Sequence, residues 1–426
     1  MSGLTRRCEG AKKYWDTIPL RYVCQLNPSV DFGRFEEDDD VTFLPMDRVK
    51  SGYFIPNTDK FSKYASSYNA FEEGDIVLAK VTPCFENGNI AVAGNLVGGK
   101  GFGSSELFVI RPTKVERRFL FYYFQSSVFK QEGEASMTGA GGLKRISPDL
   151  LRQHHLPLPA PETQRLIADY LDRETARTDA LVAEKEKMLA LLEEKRAALI
   201  SRAVTRGLNP DASLKPSGLD WLGDIPAHWE TTKFSWGVFI GEGQVDPEND
   251  RYLEMILIAP NHIESRTGRI LYTETANDQG AISGKYLCKE GEVLYSKIRP
   301  ALRKVTLAKE DCLCSADMYA LRPNKTIKSE YLLYFLLSED FSNWAELESA
   351  RVAMPKINRE SLSAIRLPVP PIQEQEAIVS AINGGTTKID SQRESIKKSI
   401  ELLKERRAAL ITAAVTGQIP IEEIHP

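Results

Sequence analysis

The sequence predicts an α+β protein of two similar blocks, each with a bent β-sheet and each followed by one long helix. Two observations support this fold class. Segment 156–208 aligns with segment 367–419 at a constant offset of 211, without a gap and with 19 identities in 53 positions. The segments that precede these two share short strand-like and helix-like motifs in the same order. Self-similarity at a fixed offset constrains the architecture before any local motif does.

The first block, residues 1–158, mixes short apolar or alternating runs, bounded by Gly, Asn and Pro, with one or two helices. Its clearest strand, 73–80, returns as 290–297, and its aromatic amphipathic helix, 119–129, returns as 331–341. Residues 209–369 are therefore predicted to repeat the fold of the first block. They begin with a polar linker, 209–218, that contains two prolines.

Segments 159–208 and 370–420 are the predicted long helices, and 421–426 is a short tail. Between Glu162 and Arg206 the sequence contains neither Pro nor Gly and is rich in strong helix formers. About 40 such residues make a rod of roughly 60 Å. In the second helix apolar residues recur every seven positions, and in the first helix Thr178 and Lys185 interrupt the same column. This repeat predicts that the two helices wrap around each other. The two columns are Leu171, Thr178, Lys185, Leu192 and Leu199, and Ile382, Ile389, Ile396, Leu403 and Leu410.

Two features leave this part of the interpretation open. Gly384-Gly385 predicts a bend near the start of the second helix. The alternative to a paired rod is two ordinary core helices in separate domains. The two long segments argue against this alternative, because their length and high charge disfavour burial on all sides.

Composition narrows the class of protein. The chain is 42% hydrophobic and 27% charged, which is ordinary for a globular protein with a real core. It lacks an apolar run of 18 residues and an apolar segment near the N-terminus, so neither a membrane span nor a secretory signal is predicted. Six cysteines without a regular framework indicate a cytoplasmic protein. The net charge of −4 argues mildly against a free-standing nucleic-acid binder, so phosphate contacts would need local basic clusters or a partner.

No catalytic motif is complete, so the chain is predicted not to be an enzyme. Residues 94–100 match the first seven positions of a phosphate-binding loop, but Gly101 stands where Ser or Thr should bind magnesium. His154-His155 lacks ligand partners at a matching spacing, and Cys312 and Cys314 form a poor zinc motif, so no metal site is predicted. A nucleotide hydrolase that uses Lys100 remains as an alternative. A second alternative is a non-enzymatic scaffold whose two modules bind protein or carbohydrate.

The arrangement resembles the specificity subunits of type I restriction–modification systems. Segment 203–208 (AVTRGL), followed by 215–230 (KPSGLDWLGDIPAHWE), is similar to that family's junction between the first helix and the second domain. Segment 367–375 (LPVPPIQEQ), repeated as 156–164 (LPLPAPETQ), is similar to its entry into the long helix. The first block has no equivalent of 217–226, which leaves its starting residue open.

The resemblance implies a division of labour. Each block would be a target recognition domain that reads one half of a split site on double-stranded DNA. The two helices would form an antiparallel coiled coil that acts as a spacer. Two DNA methyltransferase subunits would dock on these helices, and restriction or translocase subunits could join. S-adenosylmethionine and ATP would be bound by those partners, so no cofactor is predicted for this chain.

Two sets of residues are predicted to carry these contacts. Base readers are expected in the loop after the strand at 73–80 and its repeat, and phosphate contacts are expected from a second basic group at the other end of each domain. The predicted DNA-binding residues are Lys80, Thr82, Asn87, Asn89, Lys144, Arg145, Lys297, Arg299, Arg303, Lys304, Arg351 and Lys356. The predicted partner-binding residues, for which packing between the two helices is the alternative role, are Leu192, Arg196, Leu199, Leu403, Arg407 and Leu410.

Overall fold

The computed structural model describes residues 15–33, 35–64, 68–139, 142–350 and 355–424. The chain forms two compact units. Unit 1 comprises Met1–Lys185 and Lys398–Pro426, and unit 2 comprises Glu186–Lys397. The boundaries between these compact units fall inside both long helices, so each helix belongs partly to each unit. The domain boundaries predicted from the sequence follow secondary structure instead, and they stay a prediction.

The elements of unit 1 are short apart from its parts of the two long helices. Its strands are β1 Thr17–Pro19, β2 Cys24–Leu26, β3 Asp40–Leu44, β4 Asn57–Lys60, β5 Asn69–Glu72, β6 Ile76–Ala79, β7 Ile90–Val92, β8 Lys100–Gly103, β9 Leu107–Pro112 and β10 His155–Pro157. Its helices are α1 Arg117–Gln125, α2 Ser127–Ala135, α3 Pro148–Gln153, the first part of α4 Pro161–Arg206 and the last part of α10 Ile372–Val415. Single 3-10 turns occupy Leu20–Tyr22, Met46–Arg48, Phe61–Lys63, Val97–Gly99 and Ile421–Glu423.

Two four-stranded sheets and one strand pair organise unit 1. The first sheet has the order β2-β9-β6-β7 and is antiparallel throughout, and the second has the order β4-β3-β8-β5. Strand β6 lies between two apolar layers, because successive side chains of a strand point to opposite faces. Ile76 and Leu78 pack with Phe119 of α1, whereas Val77 and Ala79 pack with the second sheet. The pair β1–β10 joins the start of the block to the entry of α4.

Unit 2 repeats these elements. Its strands are β11 Leu214–Pro216, β12 Asp224–Pro226, β13 Glu230–Lys233, β14 Val238–Ile240, β15 Gln244–Val245, β16 Leu257–Ile258, β17 Lys285–Cys288, β18 Val293–Ser296, β19 Val305–Leu307, β20 Cys312–Cys314, β21 Met318–Pro323 and β22 Arg366–Val369. Its helices are the last part of α4, α5 Phe234–Gly237, α6 Asp250–Leu253, α7 Ser329–Leu337, α8 Glu339–Ser349, α9 Arg359–Ala364 and the first part of α10 Ile372–Val415, with 3-10 turns at Pro260–His262 and Pro300–Leu302.

The first sheets of the two units have the same strand order, whereas the second sheets share three strands, β3-β8-β5 and β16-β20-β17, and carry their fourth strand at opposite edges. The first sheet of unit 2, β14-β21-β18-β19, corresponds strand for strand to β2-β9-β6-β7. Strand β18 again separates two layers, since Val293 and Tyr295 pack with α7 and α8 while Leu294 packs with the second sheet. The predicted α+β fold with two similar domains is confirmed. The sheet predicted as one bent sheet consists of two separate sheets in each unit.

The long helices pack against each other in each unit, in opposite directions. In unit 1, Arg407 of α10 donates a hydrogen bond to Asp179 of α4 (3.2 Å). Further toward the start of α4, Leu171 shares a core with Ile411. Residue numbers therefore rise along one helix while they fall along the other, and the predicted antiparallel pairing is confirmed within this unit.

Unit 2 holds the sequence-equivalent pair. Arg196 of α4 donates to Asp390 of α10 at 2.7 Å, and Ile200 shares a core with Ile382. The heptad column of α10 faces inward, with Ile382 and Ile389 fully buried. Helix α10 is continuous through Gly384-Gly385, so these glycines do not end the helix, and the predicted bend stays a prediction. At Gly385 a β-carbon would lie only 2.4 Å from Leu199 Cδ2, which shows that α4 approaches closely at this point.

The two glycines are expected to respond oppositely to alanine. Gly384→Ala should raise the free energy of unfolding by about 1 kcal/mol. Alanine favours helix, and no described atom outside the local helix backbone lies within 4 Å of the added β-carbon. Gly385→Ala should lower it by about 1 kcal/mol, since the clash with Leu199 outweighs the helix preference. Thermal unfolding of the two variants checks this. Equal stabilisation by both would contradict the close helix contact.

A buried glutamine fixes the start of each long helix to its own unit. Gln164 accepts a hydrogen bond from the backbone of Glu116 (2.8 Å) and donates to Pro159 O (2.7 Å). Gln375 repeats both contacts with Lys328 (2.8 Å) and Pro370 (2.8 Å). Removal of either side chain would leave buried backbone groups unpaired. The repeated glutamine therefore sets how each helix leaves its domain.

Candidate nucleic-acid interface

In each unit, the loop after the central strand is hydrogen-bonded to the segment just before the last short helix. We call residues 80–89 the β6–β7 loop and residues 297–304 the β18–β19 loop. In unit 1, Thr82 N donates to Lys144 O (3.0 Å) and Ile146 N donates to Lys80 O (2.9 Å). In unit 2, Arg299 N donates to Pro355 O (2.9 Å) and Ile357 N donates to Lys297 O (2.8 Å).

This pairing corrects one expectation. The second basic group was predicted at the other end of each domain. Instead, Lys144 and Arg145 adjoin the β6–β7 loop, and Lys356 adjoins the β18–β19 loop through a backbone bridge with Ile298. The predicted base-reading and phosphate-binding groups therefore form one surface in each unit. Arg351 lies outside the described residues.

The first lysine of each loop is held over an aromatic ring. Lys80 Nζ lies 5.4 Å from the centroid of Phe108, and Lys297 Nζ lies 5.3 Å from that of Tyr319. Such contacts attract an ammonium group to the ring face and restrict its position. Both lysines are half-buried, so each unit presents an equivalent, oriented cation beside its loop.

The other predicted residues of unit 1 differ in how free they are. Arg145 makes a two-point ion pair with Glu106 (2.7 and 2.9 Å), and this contact lowers the pKa of the Glu106 carboxyl. Thr82 is half-buried, and its hydroxyl donates weakly to Lys144 O (3.4 Å). Asn87 and Lys144 are exposed, whereas Asn89 is half-buried next to β7. The guanidinium of Arg145 is thus already neutralised within the unit.

The four basic residues of the β18–β19 loop also divide. Arg303 is only 9% exposed, donates to Ser342 Oγ (2.9 Å) and lies 3.7 Å from Glu339. Burial lowers the pKa of its guanidinium. Lys304 is half-buried and donates to Pro260 O (2.7 Å). These two side chains are used inside the unit, and only Lys297 and Arg299 of the four remain for a ligand.

Arg299 is the most available cation of this loop. Its side chain is exposed, and no described residue binds its guanidinium. Its backbone has φ +48°, a left-handed conformation that residues other than glycine rarely adopt. Such conformations persist where the surroundings fix them, and they cluster at functional sites. The Pro355 hydrogen bond and the following 3-10 turn hold Arg299 in this exposed position.

The predicted partner-binding residues lie mostly in the contact between the helices. Arg196 is 4% exposed and bound to Asp390, and Arg407 is bound to Asp179. Leu192, Leu199, Leu403 and Leu410 are half-buried. Helix packing, the alternative role, thus accounts for the two arginines, and whether the leucines also meet a partner stays a prediction.

Sequence reasoning missed two leucines that are far more exposed. Leu191 is 52% exposed in unit 2, and Leu402 is 55% exposed in unit 1. The two are equivalent positions of the repeat. The presence of leucine at both repeat positions could have identified them. The prediction instead followed the heptad columns, which contain the neighbouring positions 192 and 403.

The alternative sites have structural roles. Residues 94–100 end in a 3-10 turn and run into strand β8, where a phosphate-binding loop would begin a helix. His154 is buried and shares a 2.6 Å hydrogen bond with the Tyr123 hydroxyl. Within the described ranges, no group of three or more His, Cys, Asp or Glu side chains could hold a metal ion. None of the described helices is long and apolar enough to cross a membrane.

Known proteins share both the sequence and the fold. Residues 12–190 and 264–402 match the family described as "Type I restriction modification DNA specificity domain". The chain is 28% identical, over 358 residues, to the Type I restriction enzyme EcoDI specificity subunit of Escherichia coli, with 79% of each chain covered.

Two solved structures share the fold. One comes from work described as "Structural basis underlying complex assembly and conformational transition of the type I R-M system". Its TM-score is 0.71 at 18% identity, and the match covers 97% of this chain and 100% of that chain. The crystal structure of the HsdS subunit from Thermoanaerobacter tengcongensis gives a TM-score of 0.52 at 19% identity, with 95% and 97% covered.

Proposed function

Because the chain belongs to the type I restriction modification DNA specificity family, we propose that its two paired-loop surfaces are the DNA-reading sites of a type I restriction–modification complex. The chain is a specificity subunit: it recognises a DNA sequence and carries out no chemistry itself. Each unit reads one half of a bipartite target. We also propose the cytoplasmic location that the sequence predicts.

The duplication of the paired-loop surface supports this proposal most strongly. Both units place an oriented lysine, an adjoining backbone turn and a second basic residue at equivalent positions. The residue between them differs, being Thr82 in unit 1 and Arg299 in unit 2. Two modules that bind the same DNA phosphate backbone but read different bases need this combination of shared and different residues.

The shared residues fit phosphate contacts and the variable position fits base reading. Lys80 and Lys297 are point charges suited to phosphate oxygens, which carry no sequence information. An exposed arginine such as Arg299 can donate two hydrogen bonds to one guanine in the major groove. A threonine hydroxyl at the same position can contact several bases less selectively. We therefore infer that the two half-sites differ at the base pair next to this position.

The partner subunits supply the remaining chemistry in this proposal. Two methyltransferase subunits dock on the long helices and bind S-adenosylmethionine, and restriction or translocase subunits that use ATP can join.

A mobility-shift assay with the chain and its methyltransferase, at stated salt, tests DNA recognition. Loss of the shift when either half-site is scrambled is the expected result. Equal binding to unrelated DNA would contradict it.

The exposed leucines should decide how many methyltransferase subunits bind. Leu191→Asp and Leu402→Asp should each weaken one docking site by about 30-fold, because a buried charge replaces an apolar anchor. Native mass spectrometry should then show one methyltransferase per chain instead of two, and none for the double variant. Leu271→Asp, a change at a leucine 56% exposed elsewhere, is the control. Full occupancy in the double variant would refute docking at these leucines.

A further inference from the structure

Each unit places the tip of a second hairpin beside the strand that follows its DNA-reading loop. In unit 1, Val49 pairs with Phe54, and the tip is bound to β7 because Gly52 N donates to Ile90 O (2.8 Å) and Ile90 N donates to Lys50 O (3.1 Å). We call residues 49–54 and 263–270 the side hairpins. The tip in unit 1 thus lies one residue from Asn89 of the β6–β7 loop.

The side hairpin of unit 2 has the same neighbour. Ile263 pairs with Ile270, and Thr306 Oγ1 of β19 donates to Gly268 O (2.8 Å). Arg266 N, at the tip, also donates to Arg303 O (3.3 Å) at the end of the β18–β19 loop. The side hairpin is therefore bound to the strand that directly follows the loop in unit 1, and to both the loop and the following strand in unit 2. A ligand at the loop would meet the tip.

Arg266 places a positive charge at the exposed tip of the unit 2 side hairpin. Its side chain is exposed and its backbone has φ +66°, which is unfavourable for arginine. Burial is the main cause of the lowered pKa of Arg303, and the positive charge of nearby Arg266 also lowers it. An exposed arginine at a hairpin tip can donate hydrogen bonds to a phosphate oxygen.

The tip of unit 1 presents a different but compatible group. Tyr53 is 59% exposed, although a tyrosine ring gains little from contact with water. Gly52, with φ +96°, forms the turn that projects it. A phenol hydroxyl can donate a hydrogen bond to a phosphate oxygen, as an arginine does more strongly.

We propose that the side hairpins are a second DNA-contacting element, in which Arg266 and Tyr53 bind backbone phosphates flanking the half-sites. This inference rests on the proposed function. A polyanion is favoured over a protein partner because the tip of unit 2 adjoins the exposed Arg299 loop, so one duplex can contact both. The hairpins set affinity and the loops set sequence.

Arg266→Gly in the complete complex separates this role from folding. Glycine adopts φ +66° without strain, so the thermal midpoint should stay the same or rise. DNA affinity should fall about tenfold for every sequence. The slope of log affinity against log salt should become shallower by about 0.9. The methylated motif should be unchanged.

Arg269→Ala is the matched control on the same hairpin. Arg269 is already bound to Glu264 at 2.8 Å, so its loss should leave affinity and salt slope within about twofold of wild type. In unit 1, Tyr53→Phe removes only the hydroxyl and should weaken binding about threefold. Tyr22→Phe, at another exposed tyrosine of unit 1, should have no effect.

Three results would overturn the inference: wild-type affinity and salt slope in Arg266→Gly, an altered motif in that variant, or wild-type affinity in Tyr53→Phe. Each presupposes a wild-type complex that prefers its motif. If the wild-type complex binds unrelated DNA equally well, the proposed function itself fails, and the two failures are thereby distinguished.

Discussion

Arg299→Ala is expected to relax recognition at one base pair of one half-site while the other half-site stays intact. The side chain is exposed, its backbone is left-handed, and the oriented Lys297 lies two positions earlier in the same loop. Loss of a two-point contact with guanine costs about 1–3 kcal/mol, or roughly fivefold to 150-fold in discrimination. Methylation sequencing of DNA from cells that express the variant with its methyltransferase reads this out directly.

Two further variants sharpen that experiment. Arg299→Gly keeps the backbone conformation and should relax the same base pair, which separates the side chain from the turn. Lys325→Ala removes an exposed charge near Glu290, at the opposite end of strand β18, and should leave the motif unchanged. An unaltered motif in Arg299→Ala would remove Arg299 from the set of base readers.

One added heptad in each long helix is expected to lengthen the gap between the half-sites. The insertion follows Glu184 in α4, and the pairs Asp179–Arg407 and Arg196–Asp390 place Glu401 and Leu402 opposite it in α10. Seven residues add about 10 Å of helix. That length corresponds to about three base pairs at 3.4 Å each. The half-site sequences should not change, since neither loop is altered.

The register of the insertion provides its own control. Seven residues in both helices keep the helices matched in length, whereas seven residues in α4 alone keep its apolar phase but prevent the pairs Asp179–Arg407 and Arg196–Asp390 from forming together, which should lower stability. Methylation mapping of the paired insertion gives the new gap. An unchanged gap in a folded, active variant would show that the helices do not act as a spacer.

The repeat made the fold largely predictable. An ungapped offset of 211 located both long helices, and the order of motifs before each one indicated two similar α+β blocks. The helix pairing followed from a seven-residue period, which is a local signal. The need for glycine at position 385 was not predictable, because it depends on the approach of Leu199 from another helix.

The candidate site was predictable only in part. Residues 80–82 and 144–146 are more than 60 positions apart, and their backbone pairing leaves no periodic trace in the sequence. Arg299 and Arg303 are also the same residue type four positions apart, yet one is exposed and the other is buried against Ser342. The side hairpins carry no motif, and only their contacts with β7 and β19 reveal them.

Methylation mapping of host DNA, with and without the chain, tests the central claim most directly. Two reading units joined by paired helices predict one methylated motif, made of two short half-sites separated by a fixed number of unspecified base pairs. That motif should disappear when the chain is deleted. A continuous motif without a gap, or a split motif that persists after deletion, would contradict the account.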